Sequence, residues 1–194
     1  MSDEPCDVSA RTLTKVRPGH ADLSGVLKYA QTDARNILER ASARETAVRV
    51  AAGSVFRSYL SALGIEIAGY VREVCGIKDE GRYTFDEIKG SRSRSLGMLN
   101  EKSEKAAEEK ISALKAEGDT AGGVAEIRVR GLKSGFGSPM TYSDKLDARL
   151  ARGLMSIQAV KGVEVGMGFG AASASGKLSL IHISEPTRQE AISY

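Results

Sequence analysis

A long amphipathic helix constrains this sequence more than any other feature. Between residues 43 and 63, apolar side chains recur at intervals of three or four: Val48, Ala52, Val55, Tyr59 and Leu63. That spacing is typical of one face of an α-helix. Ser42 and Glu45 have the S-x-x-E spacing of a capping box, and Gly64 is placed to end the helix. We therefore predict a helix here whose apolar side packs against a core.

Patterns of helix and strand alternate along the rest of the chain. Helices are expected from Asp22, which caps the first of them, over 99–117 with Ala106, Ile111 and Leu114 facing inward, and after Ser143, which caps the last. Strands are expected over 65–74, over 124–130, where the strand is half-exposed, and over 163–165. Loops are expected over 78–94 and over the glycine-rich residues 131–139. This order predicts an α+β fold rather than a doubly wound parallel sheet.

Composition narrows the class of protein. The 194 residues carry a net charge of only +3 and scatter their arginines among glutamates, which does not favour nucleic-acid binding. No apolar run approaches the length of a membrane-spanning helix. Cys6 and Cys75 lie far apart without metal-ligand spacing, and with His20 they form no metal-ligand set. A reduced, cytoplasmic protein is predicted.

The segment ERASARET, at the start of the long helix, is one candidate for chemistry. Arg40 and Arg44 flank Ser42 at a helix N-terminus, where backbone N–H groups and guanidinium forks favour an anion. The alternative interpretation is that Glu39 and Glu45 pair with these arginines.

A second candidate lies at residues 17–22, RPGHAD. Pro18 and Gly19 are typical of a turn that presents His20 at the mouth of a helix, with Asp22 close enough to orient its ring. Histidine is well suited to proton transfer near neutral pH. The alternative is a histidine that only makes structural hydrogen bonds.

Two glycine motifs are rejected. Residues 166–171 fit G-x-G-x-x-G/A, but no helix pattern follows them, and the acidic residues about twenty positions on, Glu185 and Glu190, lie in the segment 178–194 that resembles a translated sequencing adapter. Gly176 and Lys177 lack the earlier glycine and the following Ser or Thr of a P-loop.

Four ordered segments carry a resemblance to a known family: RPGHADLSGVLKY (17–29), ERASARETAVRVAAG (39–53), EGDTAGG (117–123) and LMSIQAVKGVEVGMGF (154–169). Together they resemble chorismate synthase over nearly all of residues 17–176, most weakly over 78–94. The resemblance implies a β-α-β sandwich, with helices between antiparallel sheets, assembled as a homotetramer.

The resemblance also implies an activity and a site. The family removes phosphate from 5-enolpyruvylshikimate 3-phosphate by 1,4-elimination, using reduced FMN, in the shikimate pathway of aromatic amino acid biosynthesis. It implies His20 beside the flavin, Arg17 and Arg44 on the substrate, and flavin contacts at Arg40, Ala41, Ser42, Gln158 and Ala159. Whether NADPH serves as the reductant stays open.

The chain also departs from the family pattern. The GESHG element and the KPTSS-like flavin-binding element are absent from this sequence. Residues 1–16 read as a polar lead-in from an upstream part, the alternative being a disordered tail. Residues 178–194 resemble a translated sequencing adapter, the alternative being a genuine strand and polar tail. We therefore expect a chorismate synthase domain, incomplete at both ends, over 17–177.

Two functional predictions follow from these departures. The chain alone is expected neither to bind FMN tightly nor to catalyse turnover. The competing hypothesis is a non-catalytic module that binds a phosphate or nucleotide through Arg40 and Arg44.

Overall fold

The structure is a computed structural model, and it describes residues 12–175. The chain divides into two compact units, one formed by residues 12–56 with 135–175 and the other by Arg57–Ser134. Within residues 12–175 the α-helices are α1 (Asp22–Tyr29), α2 (Arg35–Ala41), α3 (Glu45–Ala62), α4 (Phe85–Lys89), α5 (Glu101–Ala116) and α6 (Leu146–Met155), and the strands are β1 (Glu66–Val74), β2 (Ile77–Lys78) and β3 (Gly123–Arg130). Helices and antiparallel strands mix, which confirms the predicted α+β class.

The second unit is built on an antiparallel sheet of order β2-β1-β3. The pairing of β1 with β3 sets Glu66 opposite Arg130 and shifts at a bulge between Val71 and Glu73. Ala68 and Tyr70 of β1 are buried against Ile88 of α4. The other end of β1 packs on Met98 and Ala107. Ala107 and Glu104 are the buried residues of α5, whereas Ala106, predicted to face inward, is exposed.

The predicted loop over 78–94 is wrong. It contains α4 and a 3₁₀ helix over Gly90–Ser93. Thr84 and Glu87 form the capping box that starts α4: each side chain bonds the other residue's backbone N–H. A five-residue helix is too short for its periodicity to show in the sequence, and burial of Ile88 stabilises it instead.

Two helix ends agree with prediction because glycine allows the backbone that they need. Gly64 has φ +80°, and its N–H donates to Ser61 O while Ile65 N–H donates to Leu60 O. These two hydrogen bonds form a Schellman motif, in which the glycine takes the left-handed conformation. Gly118 ends α5 in the same way.

The apolar stripe of α3 does not pack into a core of this chain. Val48 and Val55 are each 69% exposed, and no residue of α3 is buried. The helix therefore forms where we predicted it, but its expected burial is wrong for this chain.

In the first unit α1 packs closely on α2 at Gly25, where an added Cβ would clash with the Ile37 side chain.

Two smaller expectations near the C-terminal end differ from the structure. α6 begins at Leu146 without a side-chain cap, so Ser143 does not cap it, and it ends at Met155. Residues 163–165 are irregular rather than a strand.

No helix in the part of the chain that the structure describes is long and apolar enough to cross a membrane.

Candidate active site

The turn before α1 is held by an arginine–aspartate fork. Arg17 Nε donates to Asp22 Oδ2 at 2.8 Å and Arg17 Nη2 donates to Oδ1 at 2.9 Å, while the backbone N–H of Arg17 donates to Oδ2 at 3.1 Å. Asp22 is only 1% exposed. Because both carboxylate oxygens bond Arg17, Asp22 neither caps α1 nor orients His20, contrary to the sequence prediction.

Asp22 and Arg17 both stay ionised over a wide pH range. The hydrogen bond from Arg17 lowers the pKa of Asp22 to about 2, although burial of the carboxyl opposes the shift. The same bond raises the pKa of Arg17. A guanidinium has five N–H donors, and Asp22 takes two of them, so Arg17 keeps donors for a second anion.

His20 lies exposed at the turn, and a backbone carbonyl orients its ring. His20 Nδ1 is 3.0 Å from Pro18 O, and a carbonyl can only accept, so Nδ1 carries the proton of this bond. Gly19, at φ +71°, makes the turn possible. Nε2 is then the ring atom left to accept or donate a proton.

The junction of α2 and α3 contains the second group of predicted residues. Ser42 ends α2 in an extended conformation, and its Oγ accepts from Arg44 N at 3.4 Å. The predicted capping box is absent here, since the Glu45 side chain bonds Arg49 Nε at 2.5 Å. Arg40 and Ala41 form the last turn of α2.

The alternative interpretation, in which Glu39 and Glu45 pair with Arg40 and Arg44, is confirmed in part. Arg44 Nη1 lies 3.2 Å from Glu39 Oε1, with the Arg44 side chain 69% exposed. Within residues 12–175 Arg40 makes no ion pair, and Glu45 pairs with Arg49 rather than with Arg40 or Arg44. An anion at this place would therefore compete with Glu39 for Arg44.

Gln158 and Ala159 lie in a tight turn after α6. Val160 N–H donates to Ile157 O at 3.2 Å, and Ala159 has φ +68°. Gln158 Nε2 donates to Arg40 O at 3.3 Å, which brings the turn against the predicted flavin strip. Gln158 Oε1 is buried and has no hydrogen-bond partner in the described part of the chain.

The structure therefore gathers the predicted residues into two groups of the first unit. Arg17 and His20 share one turn, and the backbone of Arg40 meets Gln158 at the other. Sequence reasoning missed Arg49 and Ser156, whose side chains bond across 107 positions at 2.8 Å. Nothing local in the sequence signals a contact over that separation.

The donor set fits a flavin better than a metal. Residues 12–175 hold no group of three or more His, Cys, Asp or Glu side chains that could bind a metal ion. Gln158 Oε1 is a buried acceptor without a partner, and a flavin carries imide N–H and ribityl hydroxyl donors that such an acceptor can bind.

Comparison with known proteins identifies the family of the chain. The sequence model of the chorismate synthase family matches residues 5–188. The chorismate synthase of Shouchella clausii is 46% identical over 179 residues, which is 91% of this chain and 46% of the relative. That of Geobacter metallireducens is 49% identical over 166 residues, 84% of this chain and 42% of the relative.

A solved structure described as a crystal structure of chorismate synthase superposes with a TM-score of 0.74 at 38% identity, covering 81% of this chain and 50% of the other. These findings define the class as an α+β protein of the chorismate synthase fold. The chain belongs to the chorismate synthase family. It spans about half the length of the relatives that it matches.

Proposed function

We propose that this chain supplies part of a chorismate synthase, a carbon–oxygen lyase that removes phosphate from 5-enolpyruvylshikimate 3-phosphate by 1,4-elimination to give chorismate. The family match over residues 5–188 carries the proposal. The whole enzyme would act in the cytoplasm as a homotetramer, in the pathway to the aromatic amino acids.

The two arginines would bind the anionic groups of the substrate. Arg17 is already oriented by Asp22 and has further N–H donors to offer. Arg44 would exchange Glu39 for a phosphate or carboxylate, an exchange made easier by its exposure to solvent. Guanidinium groups suit both anions because they donate two parallel hydrogen bonds.

His20 would move a proton near the cofactor. Its Nδ1 proton is held by Pro18 O, so the neutral ring presents Nε2 as an acceptor and the protonated ring presents it as a donor. The fixed Nδ1 bond sets the ring orientation in either state.

The flavin would be held by Arg40, Ala41, Ser42, Gln158 and Ala159. The unpartnered Oε1 of Gln158 supports this assignment, because a bound donor would satisfy it. Reduced FMN, when bound, would supply an electron-rich ring that assists loss of phosphate without net redox change; whether NADPH reduces it is a separate question.

The chain by itself is proposed to be inactive and to bind FMN only weakly. It spans about half the length of its relatives, and the apolar stripe of α3, which starts at the site, is exposed. The alternative, a non-catalytic module that binds phosphate through Arg40 and Arg44, has less support, because the family match covers residues 5–188.

A chimera tests the proposed function directly. Residues of this chain would replace the matching stretch of the Shouchella clausii chorismate synthase, and chorismate formation would be measured with chemically reduced FMN. We expect activity, a loss of about 100-fold or more in His20→Ala, and little change in Ser24→Ala on the neighbouring exposed face. A folded, flavin-bound chimera without activity would contradict the proposal, as would full activity of the 194-residue chain alone.

A further inference from the structure

Arg49 joins the first turn of α3 to the end of α6. Its Nε bonds Glu45 Oε2 at 2.5 Å, and its Nη1 donates to Ser156 Oγ at 2.8 Å. Ser156 Oγ in turn donates to Gly153 O at 2.7 Å. Because the hydroxyl proton is committed to Gly153, the Ser156 oxygen must face Arg49 as an acceptor, and the guanidinium is fixed from two sides.

The same contacts determine how the Gln158 amide is oriented. Its Nε2 donates to Arg40 O at 3.3 Å, and the side chain also hydrogen-bonds Glu45. The pKa of Glu45 is lowered, first by the bond from Arg49 and, against the effect of burial, also by Gln158. A flipped amide would turn Oε1 toward two acceptors, so the geometry keeps NH₂ on them and leaves Oε1 unpartnered.

The turn that carries Gln158 is strained. Ala159, its third residue, has φ +68°, a conformation that usually requires glycine at that place in a turn. Such strain persists only where surrounding contacts hold the backbone. Ser156, two residues before Gln158, is the point at which Arg49 holds this turn.

We propose that Arg49 is a positioning residue: through Glu45 and Ser156 it holds the turn over 157–160 so that Gln158 Oε1 is aimed as an acceptor at an N–H or O–H donor of the cofactor. The ligand part of this inference rests on the proposed function. The positioning part concerns the chain alone.

Nuclear magnetic resonance on the 194-residue chain tests the positioning part. We expect Arg49→Met to speed exchange of the Val160 amide proton about tenfold and to shift the Gln158 side-chain NH₂ resonances toward those of a free amide. Arg49→Lys, which can make one of the two contacts, should fall between. Arg152→Met, one turn before Ser156 on α6, is the matched control and should change neither signal.

Ser156→Ala is a milder variant for use if Arg49→Met does not fold, with amides of β1 as the internal reference. It should move the same two signals in the same direction. Unchanged Val160 exchange and unchanged Gln158 resonances in a folded Arg49 or Ser156 variant would overturn the proposal.

A titration with oxidised FMN tests the ligand part. Arg49→Met and Gln158→Met should each weaken binding, by about tenfold, and the double variant should bind no more weakly than Gln158→Met alone. Additive losses would overturn positioning through Gln158. If the unmodified chain binds no FMN at all, the proposed flavin role of this chain fails, while the exchange measurement still decides the role of Arg49.

Discussion

The two units of this chain differ in how much apolar surface they bury. In residues 57–134 apolar side chains of β1, α4 and α5 are buried, together with Asp79. In the described part of the other unit, only Asp22 and Ala34 are buried, and large apolar side chains such as Leu27 and Val48 are exposed. Both units contain ion pairs, for example Arg17–Asp22 in the unit with the candidate site and Arg130–Glu66 in the other. Among the described residues, however, only the unit over 57–134 has hydrophobic core clusters.

This difference shows why the site and the core respond to different changes. Burial of apolar surface stabilises a unit regardless of small shifts in geometry, whereas a network of polar contacts fixes positions but adds little net free energy. The site-bearing unit is therefore the one whose order should depend most on ligand and on further chain. Four predictions test this contrast, from the largest expected effect to the smallest.

Removal of the buried carboxylate of the second unit should be the most damaging change. Asp79 accepts from Gly81 N, Tyr83 Oη, Leu99 N and Asn100 N, and is fully buried. Asp79→Ala leaves these donors without a partner and should lower the free energy of unfolding by about 4 kcal/mol. Urea unfolding measures it, with the exposed Asp119→Ala as control; a loss near zero would show that Asp79 is dispensable.

A matched pair of truncations compares the units directly. Ile88 is 0% exposed and packs on Ala68 and Tyr70, so Ile88→Ala should cost about 3 kcal/mol. Val55 on α3 is 69% exposed, so Val55→Ala should cost less than about 0.5 kcal/mol. If Ile88→Ala and Val55→Ala lowered the midpoint of urea unfolding equally, the α3 stripe would have to be covered in solution, for example by self-association.

Alkaline pH should weaken the second unit through Tyr83. Burial and the hydrogen bond to Asp79 raise the pKa of Tyr83 to about 12. Since the folded pKa exceeds the unfolded value of about 10, this stabilisation is fully present below pH 10 and is lost as pH rises toward 12. The difference in unfolding free energy between the unmodified chain and Tyr83→Phe should shrink over that window. A difference that stays constant across this window would contradict the prediction.

Relief of strain should give the smallest effect, and with the opposite sign. Ala159→Gly suits φ +68°, and after allowing for the greater freedom of glycine in the unfolded chain we expect a gain of at most about 1 kcal/mol. Thermal unfolding measures it, with Gly162→Ala as a control elsewhere on the same loop. A clear loss of stability would mean that the Ala159 methyl makes contacts that outweigh the strain.

Sequence reasoning located elements better than it located their partners. The helix over 45–62, its stop at Gly64 and the strand over 123–130 all agree with prediction. On β3, however, the apolar side chains Ile127 and Val129 are exposed while Glu126 and Arg128 are partly covered. Periodicity identifies two faces of a strand but not which face the rest of the chain covers.

The site shows the same division. The turn at His20 and the arginines around Ser42 were found from local patterns, and their functional roles remain proposals. Asp22 was wrongly predicted to cap α1 and orient His20, whereas it pairs with Arg17. The pairing of Arg44 with Glu39 was left open, because several partners lie within reach in sequence.

Local interactions among a few neighbouring residues, such as a glycine in a left-handed stop or an apolar repeat of three and four, determined α1, α3, α5, α6, β1 and β3 from the sequence alone, whereas α2 and α4 were not predicted. Tertiary structure decided what lies far apart along the chain: the burial of Asp79, the choice of Ala107 over Ala106, and the contact of Arg49 with Ser156. These depend on which surfaces meet, and a contact across 107 positions leaves no periodic trace in the sequence around either partner.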